Sequence, residues 1–269
     1  MVRGLSRALL RIAFVLALAW GAIAVLQDHL LYLPAQASHD EVFADARRHD
    51  LTPWPSAADY RGLLREPAGA ARATVVLLHG NAGHAGHRHW YADALARLGW
   101  RVILAEYPGY GPRTGRLGEA ALVADAAETL RRARRQFPGP LLLAGESLGA
   151  GVAAAAAADP SPELAGLLLI TPWDRLEHVA RHHFPWAPVG TLLRDRYDNS
   201  ANLATFRGPV AVVLAEQDSI VPPAFGRALY AALPERKRIW VVAAADHNDW
   251  MARVDDPWWQ SVADFLIPE

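Results

Sequence analysis

Six short apolar runs recur along the second part of the chain, at residues 74–78, 101–105, 141–144, 167–170, 210–215 and 238–242. Runs of this length without polar alternation suit strands buried on both faces of a sheet. Between them lie segments long enough to be crossover helices, at 87–98, 118–137, 147–158, 222–233 and 254–266. This alternation predicts an α/β fold with a mostly parallel central sheet flanked by helices. Residues 172–207 break the rhythm with several aromatics, His182, His183, Pro185 and Pro188, and read as a small helical cap. Residues 34–72 carry Pro53, Pro55 and Pro67 and read as leading strands and turns. The alanine run at 153–158 reads as a tightly packed helix, and no internal repeat is present.

The first 33 residues follow a different pattern. No charged or strongly polar side chain occurs from residue 12 to 26, Arg3, Arg7 and Arg11 precede the run, and Asp28 follows it. Its Leu, Ile, Val and Phe residues together favour insertion into a bilayer by roughly −2.4 to −4.8 kcal/mol. The segment 1–33 is therefore expected to be a signal-anchor or transmembrane segment, with His29 and Tyr32 near the interface. The arginine bias keeps the N-terminus cytoplasmic and exports the domain at 34–269 to a periplasmic or extracytoplasmic space. The alternative is a cleaved signal peptide and a secreted protein, since Ala22-Ile23-Ala24 resembles a cleavage site. The apolar run continues past that triplet, which favours the retained anchor.

Charge and composition narrow the chemistry. With 27 basic and 28 acidic residues the formal charge is −1, so no global field attracts nucleic acid. The chain has no cysteine, which excludes a disulfide framework, a thiolate nucleophile and an iron–sulfur cluster.

One pattern carries a specific reaction. Gly145-Glu146-Ser147-Leu148-Gly149 is a GxSxG sequence lying directly after an apolar strand and directly before a helix. That context suits a nucleophile elbow, in which small flanking residues let a sharp turn lift the serine above the sheet. A neutral hydroxyl is a poor nucleophile, so Ser147 needs a histidine to take its proton and a carboxylate to orient that histidine. Asp218 follows the run 210–215 and His247 follows the run 238–242, in the order this architecture requires. The loop His79-Gly80-Asn81-Ala82-Gly83 follows the run 74–78, and its small residues point to Asn81 and Leu148 as the backbone donors of an oxyanion hole. His79 reads as structural. His84, His87 and His89 invite a metal reading, but no carboxylate adjoins them, and neither a metal nor a cofactor is expected. Glu106, Glu146, Asp246 and Asp249 read as solvated or hydrogen-bonded turn carboxylates. Trp173, Trp186 and Trp250 could either line an apolar pocket or pack the core.

Five motifs together, HGNAG at 79–83, EYPGYG at 106–111, GESLG at 145–149, EQDSIVP at 216–222 and DHND at 246–249, give the chain a resemblance to the bud-emergence type of α/β-hydrolase. The likeness runs from the N-terminal segment and Leu31-Tyr32-Leu33-Pro34 to the C-terminus. Relatives often carry aspartate and arginine where this chain has Glu106 and Pro108, and asparagine where it has His84. The resemblance implies an N-terminal membrane segment, a triad of Ser147, Asp218 and His247, and an oxyanion hole at Asn81 and Leu148. The expected activity is hydrolysis of a carboxylic ester or thioester, lipid acyl groups included, through an acyl-enzyme. The partners are then a small-molecule or lipid ester and the membrane, with no nucleic acid. An exported serine aminopeptidase and a catalytically idle binding module are the alternatives.

Overall fold

Each of the six apolar runs forms a strand, extending by no more than two residues beyond the pattern that predicts it. The computed structural model describes residues 2–161 and 163–268, with the side chains of 2–10, 12, 13, 16 and 17 outside that description. In chain order the elements are α1 (Val2–Leu31), β1 (Leu33–Pro34), α2 (His39–Arg48), β2 (Thr52–Pro55), β3 (Tyr60–Arg65), β4 (Ala73–Leu78) and β5 (Ala82–Gly83). After a single turn at Ala85–Arg88 come α3 (His89–Arg97), β6 (Trp100–Ala105), α4 (Glu119–Gln136), β7 (Leu141–Glu146), α5 (Leu148–Ala156) and β8 (Gly166–Ile170). The cap supplies α6 (Leu176–His183), α7 (Val189–Leu192) and α8 (Asn199–Asn202), followed by β9 (Val210–Ala215), α9 (Pro223–Ala232), β10 (Lys237–Val242) and α10 (Asp256–Leu266).

The main sheet has eight strands in the order β10-β9-β8-β7-β4-β6-β3-β2. The first six run parallel, while β3 and β2 close one edge in antiparallel pairings. Every residue of β4 and β9 is buried, which is why these strands read as continuous apolar runs. Alternate side chains feed two separate cores. Val76 and Leu78 pack with α4, α5 and α9, and Val75 and Leu77 pack with α2, α3 and α10. Four of the five alanines of α5 are buried, because a small-residue helix can lie close to the sheet centre.

Two expectations need correction. The stretch 34–72 contains β2 and β3 as expected, yet ten of its residues form α2. A capping box starts that helix: Ser38 Oγ accepts from Glu41 N at 3.2 Å, and Glu41 Oε2 accepts from Ser38 N at 2.8 Å. Val42 and Ala46 then bury one face of it. The helix expected at 87–98 is shorter and begins at His89, behind the turn at Ala85–Arg88.

Helix α1 contains the run 12–26, part of which, with Arg3 and Arg7, lies outside the described side chains. Among the described residues, no helix is long and apolar enough to cross a membrane. Phe14, Val15, Leu18, Val25, Leu26 and Leu30 of α1 are exposed.

Replacing Ser38 by alanine removes the cap of α2 and should lower stability by about 1 kcal/mol, read as a reduced midpoint of urea unfolding with the slope unchanged.

Candidate active site

The residues singled out in the sequence gather along one edge of the sheet, where the parallel strands end. Ser147 follows β7, Asp218 follows β9 and His247 follows β10, while Asn81 follows β4, the neighbour of β7. All three side-chain candidates are buried, at 8%, 7% and 8% exposure for Ser147, Asp218 and His247.

The turn at Ser147 is sharp because the flanking backbones touch. A Cβ on Gly145 would meet the Gly149 carbonyl oxygen at 2.2 Å, and one on Gly149 would meet the Leu78 carbonyl oxygen at 2.0 Å. Neither position admits a side chain. Ser147 itself takes φ 53° and ψ −113°, a backbone state that L-residues rarely adopt, and its N–H donates to Ile170 O at 2.9 Å. Leu148 N–H opens α5 and makes no hydrogen bond among the described residues.

The structure brings Asp218 and His247 together: Oδ2 of Asp218 lies 2.7 Å from Nδ1 of His247. The second carboxylate oxygen of Asp218 accepts from Ile220 N at 3.0 Å and Val221 N at 2.7 Å, so the acid is fixed before it orients the ring. With Nδ1 engaged, Nε2 is the nitrogen left for a reacting group. Among the described residues, no hydrogen bond joins the Ser147 hydroxyl to His247. Asp246 ties the two loops to each other, accepting from Ser219 N and from His247 N at 2.7 Å each. Those donors, the Ser219 N–H first, hold its carboxyl below the usual carboxylate range.

Two acids, the buried Glu106 and the largely enclosed Glu146, shape the loop that carries Asn81. Glu146 accepts from Gly80 N at 3.2 Å, Arg88 Nε at 2.7 Å and Tyr91 OH at 3.0 Å. Burial alone would push its pKa up, but the Arg88 guanidinium and these donors outweigh burial and hold the carboxyl below its ordinary range. Glu106 accepts from Ala85 N at 3.1 Å and hydrogen-bonds His79 Nε2 at 3.1 Å. Nδ1 of that histidine donates to Gly80 O at 2.7 Å. Gly80 O and Asn81 N–H belong to one planar trans peptide, so holding the oxygen aims the N–H the opposite way. Tyr110 OH and Leu33 N both donate to Asn81 O, at 2.8 and 2.9 Å.

His79 is thus structural, as the sequence suggests. All four carboxylates are hydrogen-bonded, as expected, but Glu106 is fully buried and Glu146 largely enclosed, and both serve as hubs of this loop, whereas Asp246 and Asp249 are turn carboxylates. Sequence reasoning missed Arg88, Tyr91 and Tyr110, whose partners lie far along the chain. The histidine cluster does not converge: His84 stacks on His87 while His89 stacks on His49. Among the described residues no group of three or more ligating side chains could hold a metal ion. Trp173 and Trp250 are core residues, and Trp186 lies exposed on the cap. An apolar cavity of about 260 Å³ opens beside Asn81, between α1 and the cap.

Removing the cation from the Glu146 hub leaves a buried carboxylate, so Arg88→Met should cost roughly 3 kcal/mol in urea unfolding, and adding Glu146→Gln should recover part of it. Because Glu146 titrates lower folded than unfolded, its contribution is full above the ordinary carboxylate range and is lost as pH falls through it. Glu146→Gln should accordingly flatten the acid limb of a stability-against-pH profile.

Residues 69–194 match the family model described as serine aminopeptidase, S33. That span takes in Asn81, Ser147 and Leu148 and stops short of Asp218 and His247. The chain is 38% identical over 185 residues to an uncharacterized protein of Mycobacterium tuberculosis, covering 68% of this chain and 65% of the relative. It is 28% identical to mouse lysophosphatidylserine lipase ABHD12 over 68% of this chain, which spans about half (51%) of that lipase. Protein bem46 of Schizosaccharomyces pombe is 26% identical, with 76% of this chain and 70% of the relative covered, in keeping with the motif resemblance. Among solved structures, esterase Est1E of Butyrivibrio proteoclasticus, bound to ferulic acid, superposes with a TM-score of 0.64 at 16% identity, covering 76% of this chain and 94% of that one. A Pyrococcus furiosus esterase superposes at 0.61 and 16% identity, covering 80% and 88%. With its sheet order, its elbow between β7 and α5 and these structural neighbours, the chain has the α/β-hydrolase fold.

Proposed function

We propose that the protein is a serine hydrolase that cleaves carboxylic esters or thioesters, lipid acyl groups among them, with Ser147 as nucleophile, His247 as general base and Asp218 as the acid that orients it. The observation that carries this reading is the 2.7 Å contact between Asp218 and His247 Nδ1, on the sheet edge that also holds the strained Ser147. His247 Nε2 takes the proton from Ser147 as Oγ bonds to the acyl carbon, and the carbonyl electron pair moves onto oxygen. Asn81 and Leu148 N–H donate to that oxyanion, each such donor being worth roughly 2.7 to 4 kcal/mol in the transition state. Collapse expels the alcohol or thiol, which receives the proton from His247. Water repeats the sequence on the acyl-enzyme, releases the carboxylic acid and restores Ser147.

Residues 1–33 act, in this reading, as the retained membrane anchor, and 34–269 as the exported catalytic domain with its cap inserted at about 172–207. The arginines at 3, 7 and 11 and the exposed apolar side chains of α1 support the anchor. An aminopeptidase is the second reading, favoured by the description of the matched family model. The cavity beside Asn81 is mostly apolar and its carboxylates, Asp28 and Asp195, are already engaged by Arg194 and Tyr32, which favours the ester reading, since a peptide terminus needs charged or polar recognition.

A fluorophosphonate probe should label the wild-type protein and fail to label Ser147→Ala. The same substitution and His247→Ala should lower ester turnover by about 10⁴ to 10⁶. Faster turnover of aminoacyl amides than of esters would favour the peptidase, and a folded wild type that resists the probe would leave an idle binding module.

A further inference from the structure

The cavity beside Asn81 has one wall that the hydrolase core does not supply. Ile23, Leu30 and Leu31 of α1 form one side of it, and Val179, Ala180 and Leu192 of the cap form the other. Helix α1 is fixed in that position by polar contacts at its C-terminal end. Gln27 Nε2 donates to Leu192 O at 3.1 Å, and its Oε1 accepts from Arg194 N at 2.8 Å. Arg194 pairs with Asp28 at 2.5 Å, and Tyr32 OH donates to Asp195 at 2.5 Å. A helix that only tethered the domain would need no such register with the cap.

We propose that this cavity is the acyl-chain subsite of the enzyme, that α1 is its outer wall, and that a single chain of about ten carbons enters it from the bilayer along α1. The inference rests on the ester-hydrolase reading of Ser147 and deepens it. Three observations lead to it. The lining is mostly apolar, its carboxylates Asp28 and Asp195 being engaged by Arg194 and Tyr32, and it takes in Asn81, one of the proposed oxyanion donors, and Ile220 from the loop of Asp218. The volume, about 260 Å³, admits one chain and not two: a cavity of about 150 Å³ holds benzene, which scales to about ten carbons here. The exposed faces of Val25, Leu26 and Leu30 lie on the same helix, next to the cavity wall, so a chain leaving the bilayer keeps apolar contact along its route. The substrate class is a monoacyl ester whose polar end remains outside.

The test uses the full chain in phosphatidylcholine nanodiscs, with p-nitrophenyl esters from acetate to palmitate. Ile23→Trp and Ala180→Trp fill the cavity from opposite walls. Each should lower the ratio of kcat/KM for decanoate over acetate at least tenfold, a ratio that compares two esters within the same folded population. On the wild type, a decyl fluorophosphonate with a terminal diazirine should, after photolysis, crosslink to residues 23–31 or 176–193. Ratios unchanged in both variants, or crosslinks mapping elsewhere, overturn the subsite while leaving the hydrolase reading in place. If neither acetate ester nor a small fluorophosphonate reacts at Ser147, the hydrolase reading falls and the subsite falls with it.

Discussion

Helix α5 can approach strand β4 only because position 149 has no side chain: a Cβ there would sit 2.0 Å from the Leu78 carbonyl oxygen and 2.7 Å from that of His79. Atoms cannot interpenetrate at that distance, so the contact forces glycine and sets how far α5 descends onto the sheet. The same constraint acts from the other side at Gly145, against the Gly149 carbonyl. Between these two contacts the chain has no choice but the left-handed state found at Ser147. The placement of Ser147 is thus a consequence of main-chain packing, and the alanines that follow let the helix stay that close along its length. A bulkier helix would lift off the sheet and relax the turn.

The loop that follows β4 is held from several sides. Tyr107 and Tyr110 lie against His79, and their hydroxyls donate to His79 O and Asn81 O. Further support comes from two carboxylates, the largely enclosed Glu146 and the buried Glu106, each satisfied by backbone N–H and ring or guanidinium partners. Burying a charge is unfavourable unless every lone pair is met, and here Arg88, Tyr91 and His79 meet them. A network of this kind has few alternative arrangements, which suits a peptide that must point one N–H at a fixed place.

The fold was legible because its central strands are buried on both faces: the pattern at 210–215 coincides with β9, and those at 74–78 and 101–105 fall one residue short of β4 and β6. The positions of Ser147 and Asp218 were legible for a related reason, since each lies just beyond such a strand, whereas His247 follows the partly exposed edge strand β10. Prolines 53 and 55 drew attention from α2, although Ser38 and Glu41 already spelled a capping box three residues apart. The hubs at Glu106 and Glu146 were not legible, because whether a carboxylate after a strand is solvated depends on side chains such as Arg88, 58 residues away from Glu146. Nor could hydropathy tell that α1, whose composition suits lipid, also packs against the cap.

That packing links the entrance of the site to its centre. Tyr32, at the end of α1, hydrogen-bonds Tyr197 OH at 3.1 Å, and Tyr197 is fully buried, its ring packed against α5 so that a Cβ at position 151 would lie 3.0 Å from it. Trp173 lies against the same glycine and donates from Nε1 to Tyr197 O at 3.3 Å. Gly151 therefore lets the cap pack tightly on α5, a softer constraint than the backbone contact at Gly149. Tyr197 meets α5 on one side and Tyr32 at the end of α1 on the other, so one buried side chain sets the register of α1, the cap and the helix that follows Ser147.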